Sequence, residues 1–169
     1  YDGAKAKAAE LRFELLEPVF EHTASTTSET TSLNSIRALD PDILYIASTP
    51  KPSSVIIKNA YELGMTGGNM IIACGHAGMT KALVDLAGTN VCEGVYGLFP
   101  TVNWDDGASG MAKVKEYCQK YHPADFGNMD YIASWCQSLI MAKAAELAVE
   151  SVGYETLSKG DSNAWKAYE

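Results

Sequence analysis

The sequence predicts an α/β fold, a three-layer α/β/α doubly wound parallel sheet. Three observations carry that expectation. Short, β-rich apolar runs recur at Asp42–Ala47, Met70–Ala73 and Gly94–Phe99. Stretches with helical spacing separate them. Pro and Gly punctuate the joins, as at Pro41, Gly64 and Gly88. Strands that alternate with helices at this spacing favour parallel pairing, because each crossover helix returns the chain to the same edge direction.

Taken in order, Ala4–Arg12 is rich in Ala and Lys and reads as a helix. Phe13–Leu16 reads as a short strand. The polar stretch His22–Ser32 (HTASTTSETTS) reads as a loop that caps a helix over Ser32–Leu39. The run Asp42–Ala47 is nearly continuous in apolar residues, which suits a strand buried on both faces. Ile56, Ala60 and Leu63 share one stripe of a helix over Ser53–Leu63, stopped at Gly64. Met70–Ala73 is a second buried strand. Gly75-His76-Ala77-Gly78 then turns the chain into a helix over Met79–Ala87, and Gly94–Phe99 is the third strand. Gly67 and Gly68 follow a helix rather than a strand, so they mark a turn and not a dinucleotide-binding loop.

From Pro100 the pattern changes. Thr101–Gly110 is irregular, and helices are expected over Ser109–Tyr121 and Met129–Ser151. In the second, Ile132, Trp135, Cys136, Leu139, Ile140 and Leu147 recur at helical spacing. Trp135, Met129 and Met141 are expected in the core. So long an apolar helix requires a large partner surface. Pro100 is therefore the expected boundary between two structural units.

Composition narrows the function classes. Of 169 residues, 47% are hydrophobic, which is ample for a core, and the formal net charge is −8. That surplus of acid argues against nucleic acid as a partner, since phosphate binding requires a basic face. No run of about 18 apolar residues suggests a membrane span. No signal-peptide pattern opens the sequence, and a start at Tyr1 fits a processed or trimmed terminus. Cys74, Cys92, Cys118 and Cys136 include no C-x-x-C pair, so no metal site is expected. Disulfides in an oxidising compartment and four small buried hydrophobes are both open readings of them.

Ligands of open α/β sheets bind beyond the carboxyl ends of the strands. Three places qualify. Ser48-Thr49 follows the first apolar run and precedes a helix, so its hydroxyls and the N–H groups of the helix start can hold a carboxylate or amide oxygen. Gly75 lets the backbone approach a ligand, and His76 supplies a ring that donates or accepts. Trp104, within Thr101–Trp104, can stack on a ligand. Each has a plainer alternative. Ser48-Thr49 can serve as a helix cap, Gly75 and Gly78 as turn formers, His76 as a surface residue and Trp104 as a packing residue. His22 and His122 sit in polar surroundings and are expected to be solvated.

The ordered series Asp40-Pro41-Asp42-Ile43-Leu44-Tyr45-Ile46, Ala60-Tyr61-Glu62-Leu63-Gly64, Met70-Ile71-Ile72-Ala73, Leu86-Ala87-Gly88 and Glu93-Gly94-Val95-Tyr96-Gly97 resembles the second lobe of type I periplasmic solute-binding proteins, the branched-chain amino acid and amide kind. Val114–Tyr121 (VKEYCQKY) is similar to that family's F-x-x-x-Y-x-x-K-Y helix, and Met129–Ala148 resembles the long helix after it. The resemblance implies two α/β lobes that close on a small ligand without converting it. It implies an ABC transporter permease as partner, no cofactor, and a periplasmic or extracellular, lipid-anchored location. Residues 1–99 would be the second lobe without its first strand, residues 100–104 a crossover, and residues 105–169 helices of the first lobe. The rest of that first lobe would precede Tyr1, and its absence would favour self-association of this piece. By the same resemblance Tyr1 matches a further ligand contact. Thr49 stands where amino-acid binders often carry an aromatic contact, and His76 where they carry an acid for the ligand ammonium. Both departures favour an amide or organic acid over an α-amino acid.

Two other classes stay in view. Cys74 and His76 at a strand end could serve a small α/β enzyme, but i and i+2 across a glycine seldom hold hydrogen-bonding geometry, and no third orienting group or nucleophile elbow accompanies them. A ligand-sensing regulatory domain of the same fold is the alternative among binders.

Overall fold

The computed structural model describes residues 2–159. The chain divides into two units, residues 1–99 and 100–169.

The first unit begins with helix α1 (Asp2–Leu11), which buries none of its residues. Phe13–Leu16 forms no strand, contrary to the expectation from its sequence. A strand exists only through a ladder, and this segment pairs with none, leaving Phe13 63% exposed. Helix α2 (Thr30–Ala38) starts two residues before the predicted Ser32. Glu29 occupies its N-cap, but the side chain makes no cap bond. The carboxylate accepts instead from the Thr26 and Ser32 hydroxyls, at 2.6 and 2.9 Å. Its backbone N–H donates to Asn59 Oδ1 at 2.8 Å, tying the polar loop to the next helix.

Three strands form the sheet: β1 (Ile43–Ile46), β2 (Ile71–Cys74) and β3 (Val95–Gly97). They pair in parallel, in the order β1-β2-β3. Between them run α3 (Pro50–Glu62), α4 (Lys81–Ala87) and the one-turn α5 (Thr89–Cys92). The α/β class with a parallel sheet and flanking helices is thus the one that the alternating pattern predicts.

Register decides which residues enter the core. Leu44 lies beside Ile72, which lies beside Val95, and Ile46 lies beside Cys74. This row packs with Leu33 of α2, Ile56, Ile57 and Ala60 of α3, Leu83 and Ala87 of α4, and Cys92 of α5. The opposite row holds Ile43, Ile71, Tyr45 and Tyr96, all exposed. The reading of Asp42–Ala47 as a strand buried on both faces therefore fails at Ile43 and Tyr45. Successive side chains of a strand point to opposite faces, and the helices above pack on one of them.

The second unit is helical. Helix α6 (Met111–Tyr121) is followed by a 3-10 turn (Pro123–Asp125), α7 (Met129–Val152) and α8 (Tyr154–Lys159). Asn128 caps α7, its side-chain oxygen accepting from the Asp130 N–H at 3.0 Å. The core gathers Trp104, Met111, Val114, Cys118 and Ile132, with Met129, Tyr131, Trp135 and Cys136 against it. Met141 is not in that core, contrary to expectation. Past Cys136 the helix leaves Leu139, Ile140 and Met141 exposed, at 58, 67 and 64%.

Candidate functional site

The carboxyl ends of β1 and β2 open onto a cleft of about 430 Å³. It is lined by Tyr45, Ala47, Ser48, Thr49 and Pro52 from the β1–α3 side, by Gly75, His76 and Ala77 from the end of β2, and by His22 and Ala24 from the polar loop. Four of the five residues singled out in the sequence, Ser48, Thr49, Gly75 and His76, are brought together here.

Each arrives for a local reason. Thr49 is the N-cap residue of α3 by position, with extended backbone, yet its side chain makes no cap bond. The capping reading of Ser48-Thr49 is therefore not realised in side-chain contacts. The helix start offers fewer donors than its position suggests, because Pro50 and Pro52 carry no N–H. Gly75 continues the ladder, its N–H donating to the Ile46 carbonyl at 3.2 Å, and its own carbonyl accepts from the Gly78 N–H at 2.9 Å to close the turn. The Tyr45 hydroxyl lies 2.8 Å from where a Gly75 Cβ would sit. Gly78 is confined by backbone rather than by a side-chain tip. A Cβ there would stand 2.9 Å from the Ser48 carbonyl oxygen and 3.0 Å from Ser53 Oγ. The turn thus seats directly on the β1–α3 junction. His76 and Ala77 are exposed at its tip.

His22 is the residue that the sequence reading missed. It is half-buried, not solvated, and its Nε2 lies 2.7 Å from Ser48 Oγ. It also forms part of a neighbouring cleft of about 400 Å³ along β1, where Glu21 and Glu29 contribute the acid. The Glu29 carboxyl is held below its ordinary range, chiefly by the Thr26 hydroxyl bond and further by Ser32 and the charge of His22, against the opposing effect of burial. A polar stretch with one histidine gives no sign in sequence that it folds over a strand end 26 residues away.

Trp104 belongs to the second unit and is 5% exposed. Its ring centroid lies 4.8 Å from that of Phe126 and 6.0 Å from that of Tyr131, and its indole N–H donates to the Asn128 carbonyl at 2.9 Å. Those contacts match the packing reading of Trp104. Tyr1 lies outside the described residues. His122 is exposed, as expected.

The four thiols are free. Cys74 is buried behind the β2 tip, and burial, with the neighbouring Cys92, pushes its pKa up to about 11. Such a thiol stays protonated at neutral pH, the opposite of what a nucleophile requires. Among the described residues there is no metal-binding cluster of His, Cys, Asp and Glu, and no helix is long and apolar enough to cross a membrane.

Comparison with known proteins agrees with this architecture. The family model described as periplasmic binding protein matches residues 1–161. The chain belongs to the periplasmic binding protein family. It is similar to the structure described as a branched chain amino acid ABC transporter from Thermus thermophilus with bound valine, at 23% identity and a TM-score of 0.69, over 88% of this chain and 38% of that one. It is likewise similar to the structure described as an abc transporter permease from the Pseudomonas fluorescens group, at 17% identity and a TM-score of 0.71, over 88% of this chain and 36% of that one. At these identities the likeness is one of fold. The chain spans well under half the length of either protein. No curated protein matches it. For this member of the periplasmic binding protein family, the strand-tip cleft is the place where fold and side-chain chemistry coincide.

Proposed function

We propose that this chain is part of an extracytoplasmic solute-binding protein that delivers a small polar organic ligand (an amino acid, an amide or an organic acid) to an ABC transporter permease. Residues 1–99 form one jaw, residues 100–104 a crossover, and residues 105–169 helices of the opposite lobe. Ser48, Thr49, Gly75 and His76 are the ligand-facing residues of the jaw carried here. Binding works by closure of two lobes and involves no chemical conversion. Closure buries the ligand and presents a surface that the permease recognises.

The cleft at the ends of β1 and β2 is the observation that carries this reading. It gathers hydroxyls, two imidazoles and a glycine turn at the edge where open α/β sheets take ligands. A buried, protonated Cys74 beside His76 speaks against nucleophilic catalysis.

The test is a thermal-shift screen of the full-length natural protein against amino acids, primary amides and carboxylic acids, followed by calorimetry on the best compound. Binding of an unmodified ligand is expected, with its mass unchanged after recovery. The 169-residue chain alone is expected to bind the same compound at least about a hundredfold more weakly, since one jaw loses enclosure. Turnover of the ligand, or full affinity in the isolated chain, would overturn the reading.

A further inference from the structure

We propose that the cleft receives the carboxylate of a small organic acid, held between Ser48, His76 and the His22 side of the wall, with His22 as the residue that aims the Ser48 hydroxyl. This deepens the binding role above and rests on it.

The argument starts from donors. A carboxylate needs N–H or O–H groups pointed at it, and an ammonium needs acceptors or negative charge. The cleft is lined by two imidazoles, two aliphatic hydroxyls and the Tyr45 phenol, and among the described residues no carboxylate lines it. The two prolines at the start of α3 remove backbone donors that would otherwise help. The lining side chains supply the donors that an anion requires.

The His22–Ser48 pair then decides polarity. At 2.7 Å one partner donates and the other accepts. When Nε2 carries the proton it donates to Ser48 Oγ, and the Ser48 O–H is free to donate into the cleft. When Nε2 is bare it takes the Ser48 proton, and the hydroxyl offers only lone pairs. The first arrangement suits a carboxylate and the second an amine. The lining favours the first, since among the described residues no carboxylate stands in the cleft to pair with an ammonium. Tyr45, Ser48, Thr49 and His76 line the ligand cleft with His22, whereas Glu21 and Glu29 line only the neighbouring cleft with it.

The full-length protein is titrated calorimetrically with matched sets that share one carbon skeleton: the carboxylic acid, the α-amino acid and the primary amine. Across skeletons, the best acid is expected to bind at least as tightly as its amino-acid counterpart and at least about tenfold more tightly than the amine, the scale of one charge-assisted hydrogen bond. His22→Ala is expected to weaken acid binding about tenfold. His22→Gln keeps a donor toward Ser48 and is expected to recover most of the affinity, a rescue that a merely structural role would not produce. Circular dichroism and melting of both variants establish that they fold. An amino acid or amine that binds more tightly than its matched acid, or acid affinity unchanged in folded His22→Ala, would overturn the proposal and leave the binding role standing. A protein that binds no compound of any set overturns both.

Discussion

The two units treat apolar residues differently. In the first, α2, α3, α4 and α5 enclose one row of the sheet so fully that Leu33, Ile57 and Leu83 are at most 1% exposed. In the second, the start of α7 packs through Ile132, Trp135 and Cys136, while the middle of the same helix presents Leu139, Ile140 and Met141 to solvent. Identical residue types thus end in opposite environments. An apolar side chain is buried only when another element lies opposite it, and a helix that is apolar all round demands such neighbours on every side.

The sharpest way to break this comparison is a pair of truncations in the isolated chain. Ile57→Ala is expected to cost about 2–5 kcal/mol in urea unfolding, through lost transfer energy and the cavity left behind. Ile140→Ala is expected to change stability by less than about 0.5 kcal/mol. If Ile140→Ala costs as much as Ile57→Ala, the middle of α7 is covered in solution. Self-association would then be the first explanation, and sedimentation of an Ile140→Glu variant would show whether a charge there restores the monomer.

Next in size is Gly78→Ala, at the junction of the enclosed core and the cleft. The added methyl meets the Ser48 carbonyl and Ser53 Oγ, and Ser53 Oγ is buried without a partner among the described residues. The overpacking is expected to cost about 1–3 kcal/mol. Because the displaced atom belongs to the Ser48 backbone, ligand affinity of the full-length protein should fall as well, as calorimetry would reveal. A destabilised variant with unchanged affinity would separate the turn from the site.

The smallest effect concerns Cys74. Its thiol pKa is raised to about 11 in the fold by burial and by Cys92, above an unfolded value near about 8.5. A group raised in this way stabilises the fold fully below the unfolded value, and that contribution is lost as the pH climbs toward the folded one. Urea midpoints should therefore be flat with respect to this group up to about pH 8 and decline above it, less steeply in Cys74→Ala. Thiol labelling at pH 8 should modify the half-buried Cys136 first and Cys74 late.

Much of the first unit could be read from its residues. The apolar runs ending at Ile46 and Cys74, the stripe of Ile56 and Ala60, and the glycines at 75 and 78 are local signals, and local periodicity specifies a parallel α/β order. That order also placed Ser48, Thr49, Gly75 and His76 at strand ends, where the cleft lies. Helices α6 and α7 of the second unit were equally legible, because both carry continuous helical spacing, whereas the short α8 was not.

Other features were decided by tertiary structure. Phe13–Leu16 has strand composition but no ladder partner, and pairing is not a local property. Ile43 and Tyr45 belong to the same apolar run as Leu44 and Ile46, yet register and the side on which helices pack expose them. Trp104 has the chemistry for stacking on a ligand, and only the path of the chain sets its ring beside those of Phe126 and Tyr131. His22 looked solvated because its sequence neighbours are polar, and a loop that folds back over β1 placed it on Ser48. Sequence alone determined the three strands and the longer helices and their order, because backbone preferences act over a few residues. Which face is covered, and which side chain reaches which strand end, was settled by contacts between segments far apart in the chain.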